Sequence, residues 1–108
     1  MGAFEITEMV QSGIKHIENW LKQNGYTLKG IEAWQQGSAD IVADGPVANI
    51  FIQAQTVAHP DKPAFLNGTD KFAVKDIAQR LERIPYIAYL VIDHDKNLVG
   101  DIVWERIG

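Results

Sequence analysis

The 108-residue chain contains no cysteine, which excludes a disulfide framework and any thiolate site for zinc or an iron–sulfur cluster. Carboxylates, imidazoles and amides are then the ligands it can offer a metal, and the fold must stand on packing. Basic residues are also few. Ten Lys and Arg against fourteen Asp and Glu give a formal net charge of -4, which repels a polyanion unless the cations gather on one face. Nucleic acid is thus a possible partner that charge disfavours. No stretch approaches the ~20 apolar residues that span a membrane. Met1 to Thr7 show no basic region followed by an apolar run, so no membrane association and a cytoplasmic location are expected. Without a secretion signal, Asn67-Gly68-Thr69 reads as an Asn-Gly turn rather than a glycosylation site.

What is present is the composition of a globular protein, 46% hydrophobic and 22% charged, with no segment polar or repetitive enough to read as disordered. Both chain ends are expected to be ordered. The length suits one core and is too short for two, so residues 1–108 read as a single domain.

Val10, Ile14, Ile17 and Leu21, with Trp20 beside them, place an apolar stripe on a helix from about Ile6 to Asn24. Gly25 is its stop, and the ~1 kcal/mol that Gly13 costs within it is outweighed by the packing face. Three extended segments follow: Tyr26 to Trp34, ended by Gln35-Gln36-Gly37, then Ala39 to Ala43, then Ala48 to Val57. The last two form a hairpin through Asp44-Gly45-Pro46. Ile50-Phe51-Ile52 is apolar on both faces, which places its strand centrally in a sheet. The two prolines of His59-Pro60-Asp61-Lys62-Pro63 and the Asn67-Gly68 pair mark a surface loop. A second helix is expected from Lys71 to Arg83, capped by Asp70 or Thr69, with Val74, Ile77, Leu81 and Ile84 as its stripe and Pro85 as its end. Tyr86 to Ile92 and Leu98 to Arg106 form a further hairpin around the polar turn Asp93 to Asn97. The class is α/β or α+β with mixed strand directions, in the order α-β-β-β-α-β-β.

Few residues stand out as chemistry. His16, His59 and His94 have no metal-ligand spacing and read as structural or surface groups. Ser38 lacks a nucleophile elbow and an assignable histidine, so a serine hydrolase is set aside. Lys71, Lys75, Arg80 and Arg83 tint the second helix basic, but Asp76 and Glu82 dilute it, and a solvated helix face is the reading. Trp34 and Trp104 read as core or edge packing, with a partner interface as the alternative.

One ordered set of residues remains: Leu21-Lys22-Gln23-Asn24-Gly25-Tyr26, then Gly37-Ser38-Ala39-Asp40-Ile41-Val42, a turn, and Gln53-Ala54-Gln55-Thr56. This layout resembles the PD-(D/E)XK nuclease superfamily, closest to its small Holliday-junction-resolvase-like branch, over about Gly13 to Trp104. The resemblance implies a restriction-endonuclease-like mixed sheet. In such enzymes an acid on one strand and a Glu-x-Lys pair on its hairpin partner hold a divalent metal and activate water. Carried over, Asp40 keeps the first carboxylate, Gln53 stands where the second is expected, and Gln55 stands where the lysine is expected. A further acid of that branch falls near Ile14, which is apolar. Amides lack the charge that holds a hard cation, so Asp40, Gln53 and Gln55 are expected to form a vestigial site. The expectation is no catalysis and no cofactor, with Asp40 the residue to touch a metal if any binds. The role is then a binding or regulatory module acting on a protein partner or through self-association. The alternative is a divergent Mg- or Mn-dependent nuclease acting on DNA or RNA, in which Glu32 or Asp61 completes the site.

Overall fold

The computed structural model describes residues 6–33 and 38–107. Its elements are α1 (Ile6–Gln23), β1 (Thr27–Ala33), β2 (Ser38–Asp44), β3 (Asn49–Ala58), α2 (Gly68–Arg80), β4 (Ile84–Ile92) and β5 (Val103–Arg106). The order is the expected α-β-β-β-α-β-β, and the class is mixed α/β. Expectations for Trp34, for the break at Gln35-Gln36-Gly37 and for the extreme chain ends lie outside the described residues.

The five strands form one sheet in sequence order, β1-β2-β3-β4-β5. The pairs β1–β2, β2–β3 and β4–β5 are antiparallel, while β3 and β4 run parallel. Parallel neighbours need a crossover, and the segment containing α2 supplies it. Helix α1 covers one face of the sheet and α2 the other, so β3 is buried on both sides. Ile50, Ile52 and Ala54 pack with the α1 residues Val10, Ile14, Ile17 and Leu21, whereas Phe51 packs with Val74 and Ala78 of α2. This two-sided burial is why Ile50-Phe51-Ile52 shows no alternation.

Helix α1 ends as its sequence predicts. Gly25 takes φ +81°, the Gly25 N–H reaches the Lys22 carbonyl and the Tyr26 N–H reaches that of Leu21, which is a Schellman cap. Tyr26 then lays its ring against Gly45 in the β2–β3 turn, where no Cβ could fit. Arg83 ties the same turn to the end of α2. Its guanidinium lies 2.9 Å from the Ala43 carbonyl and 2.7 Å from the Asp44 carboxylate.

Four local expectations are corrected. Helix α2 starts three residues earlier than Lys71, because Asn67 is its cap and accepts the Asp70 N–H at 2.9 Å; Asn67-Gly68 opens the helix instead of forming a turn. The helix also stops three residues before Arg83, where Glu82 at φ 57° reverses the chain. Its packing face is Val74 and Ala78, while Ile77 and Leu81 are 36% and 46% exposed. Small Ala78 lets the helix axis settle on the sheet, and Ile77, ~100° round the helix from it, is turned away. Finally, β5 covers only Val103–Arg106, and Leu98 contributes one isolated bridge to Ile92.

Candidate functional site

The site begins with strand alternation. Residues directly opposite in a ladder share a face, and Asp40 is the partner of Gln53, as Ser38 is of Gln55. All four therefore stand on one side of the sheet. It is the α2 side, because β4 brings Ile87 level with Gln53 and Tyr89 level with Gln55, and Ile87 and Tyr89 belong to the α2 core. The structure thus brings the three residues singled out in the sequence together.

Their arrangement differs from a metal centre in chemistry. The Gln55 Nε2 donates to the Gln53 Oε1 at 3.1 Å, so the two amides are bonded to each other on a half-buried surface. Beside them a cavity of about 280 Å³ opens between the sheet and the first turns of α2, lined by Ser38, Gln53, Gln55, Leu66, Asp70 and Ala73. No group of three His, Cys, Asp or Glu placed to hold a metal exists among the described residues.

Glu32 and Asp61 are the two acids that could replace the missing carboxylate. Glu32 on β1 is the direct partner of Asp40 and so stands on the same face, which puts their Cβ atoms ~5 Å apart. Asp61 lies past the end of β3, and Ala58, where that strand ends, is ~16 Å from Gln53 along it at ~3.3 Å per residue. Geometry brings Glu32 to the site and leaves Asp61 outside.

A second polar group on this face was not legible in the sequence. Glu105 is level with Ile87 across the β4–β5 ladder. Its carboxylate accepts the Tyr89 hydroxyl at 2.9 Å and pairs with the Lys71 ammonium at 2.6 Å. Tyr89 in turn accepts the Leu66 N–H at 3.3 Å, and Phe65 sets its ring against Tyr89 at 4.7 Å. The hydrogen bond from Lys71, followed by that from Tyr89, holds the Glu105 carboxyl below the usual range. The bond to Glu105 raises the Lys71 ammonium. Burial, ahead of its other causes, raises the Tyr89 phenol. Lys71 is therefore not part of the solvated face expected of it, although Lys75 and Arg80 are exposed. The missing signal is register: Lys71 and Glu105 meet only once α2 is placed over a sheet whose strand order is known.

The remaining candidates are dispersed. The His16 Nε2 lies 2.9 Å from the Lys96 carbonyl, and exposed His94 stands 3.5 Å from the Asp95 carboxylate. Trp104 packs against Trp20 at 4.7 Å and edge-on to Tyr86 at 6.3 Å, the packing role its position suggested. Other depressions run along α1. One of about 470 Å³ is lined by Glu8, Gln11, Lys15, His16 and Lys96 among others, an open groove of mixed charge with no convergent reactive groups. No helix among the described residues is long and apolar enough to cross a membrane. No protein-family model matches the chain, and no curated protein aligns with it significantly.

Proposed function

We propose that the chain is a restriction-endonuclease-like domain of the PD-(D/E)XK type whose metal chemistry has been replaced, and that it works as a metal-free binding module. One observation carries the reading. Where a carboxylate and an ammonium would flank Asp40, Gln53 and Gln55 form a neutral amide pair on the same sheet face. The element order and the mixed strand directions suit the layout that the resemblance implies. Metal catalysis needs an ion whose charge is held by anionic ligands, and amides supply oxygen without that charge. A protein partner or a second copy suits the acidic chain better than a polyanion.

Calorimetry with magnesium and manganese tests this reading. Heats indistinguishable from dilution up to millimolar ion are expected, and saturable binding that disappears in Asp40→Asn would overturn it.

A second reading has its own observation. Glu32 faces Asp40 across the β1–β2 ladder, so two carboxylates stand side by side, with Gln53 on the far side of Asp40, and a divergent magnesium- or manganese-dependent nuclease could be built from them. This reading requires Glu32→Gln to abolish both metal binding and cleavage of DNA or RNA.

A further inference from the structure

Two glutamines bonded to each other do not exhaust their polar groups. Each carboxamide has an acceptor oxygen and a donor NH2. The bond from Gln55 Nε2 to Gln53 Oε1 leaves the Gln53 NH2 and the Gln55 carbonyl outside it. Exchanging oxygen and nitrogen in both side chains gives the same result with the roles reversed, so either assignment leaves one donor and one acceptor outside the bond. Neither remaining group has a hydrogen-bond partner among the described residues. Both residues line the cavity of about 280 Å³ in which Leu66 and Ala73 supply apolar surface, while Ser38 and Asp70 add a hydroxyl and a carboxylate.

The electrostatics select against an anion. The cavity lining contains one carboxylate, Asp70, and no cationic side chain, and Asp40 stands next to Gln53 on the same face. The nearest ammonium in sequence, Lys71, is committed to Glu105 at 2.6 Å. A purely donating cation, whatever it gains from Asp70, leaves the amide NH2 without an acceptor. The complementary group is neutral and planar and carries an acceptor beside a donor.

We propose that this cavity is a binding site for a small neutral ligand with an amide edge, either a ring lactam or a primary carboxamide. The edge pairs with Gln53 and Gln55, and the body of the ligand rests on Leu66 and Ala73. The proposal deepens the metal-free reading of this face and rests on it.

The experiment follows the side-chain NH2 signals of Gln53 and Gln55 by NMR in the full chain. The probes are uracil for a lactam, nicotinamide for a carboxamide, and orotate as the uracil ring bearing a carboxylate. Saturable shifts of both glutamine amides with uracil or with nicotinamide are expected, and which probe acts identifies the source of the amide edge. Orotate should bind at least ~10-fold more weakly than uracil, a difference of ~1.4 kcal/mol. Ala73→Leu, a change at an exposed helical position, fills the cavity and should weaken binding at least ~10-fold while leaving the backbone spectrum in place. Gln55→Met removes half of the edge and should act likewise. Absence of saturation with both neutral probes, or equal binding in Ala73→Leu, overturns the proposal. A magnesium arm on the same sample separates the two claims: saturable metal-induced shifts at Asp40 and Glu32 contradict the metal-free reading, whereas glutamine amides that ignore both neutral probes contradict this proposal alone.

Discussion

Gly13 of α1 lies directly over Thr56 of β3, with no room between them for a methyl group. A Cβ at position 13 would meet the Thr56 hydroxyl and come within 3.2 Å of its methyl. Thr56 is itself buried, so it has little space to give way. The glycine inside the apolar stripe is therefore a point of close approach between helix and sheet. Gly13→Ala should destabilise the chain by ~1 to 3 kcal/mol through overpacking, in spite of the ~1 kcal/mol that alanine gains in a helix. Urea unfolding of Gly13→Ala, Thr56→Ala and the double variant measures it. The double variant should be more stable than Gly13→Ala alone, and additive losses would contradict the steric account.

Glu82 closes α2 at φ 57°, a left-handed position that costs a residue with a Cβ ~1 kcal/mol. The Arg83 N–H to Ala78 carbonyl bond of 2.8 Å fixes that geometry, so the strain cannot relax locally. Glu82→Gly should raise stability by up to ~1 kcal/mol, reduced by the freedom glycine adds to the unfolded chain. A lower urea midpoint in Glu82→Gly would count against it.

The Lys71–Glu105–Tyr89 group gives a pH dependence of known sign. Glu105 is held below its ordinary value of 4.5, so its contribution is complete above that pH and fades as pH falls through the lowered value. Lys71 is raised above 10.5, so its contribution is complete below that pH and fades as pH rises through the raised value. Between these limits the pair contributes a constant amount. Both groups are about one-third exposed, and solvent screening keeps that amount modest. The stability difference between the parent and Glu105→Gln should be flat through neutral pH and shrink in acid. A difference that grows as pH drops below 4.5 would show that the pair does not act as described.

These cases mark what a sequence can show. The stripe Val10, Ile14, Ile17, Leu21 and the glycine after it specify α1 because helix period and cap chemistry are local. The Asp44-Gly45-Pro46 turn is local too, and it sets the register that places Asp40 opposite Gln53. The start of α2 is not readable locally because an Asn-Gly pair can open a helix as well as a turn, and the choice depends on whether Asn67 finds the Asp70 N–H. The Lys71–Glu105 pair and the Glu32–Asp40 pairing depend on strand order, which no local pattern encodes. The steric reason for Gly13 likewise appears only when Thr56 is brought beneath it.

The central claim is that the Asp40 face carries the frame of a metal site without its charges, and restoring them tests it most directly. Gln53→Glu and Gln55→Lys, made together, would set a second carboxylate opposite Asp40 and an ammonium two residues on, using positions already on one face. Two carboxylates at hard-cation distance bind magnesium or manganese far better than one beside an amide. Calorimetry on the folded double variant should show saturable binding that the parent lacks and that Asp40→Asn removes. A double variant that folds normally yet binds no more metal than the parent would mean that Asp40, Gln53 and Gln55 were never such a site.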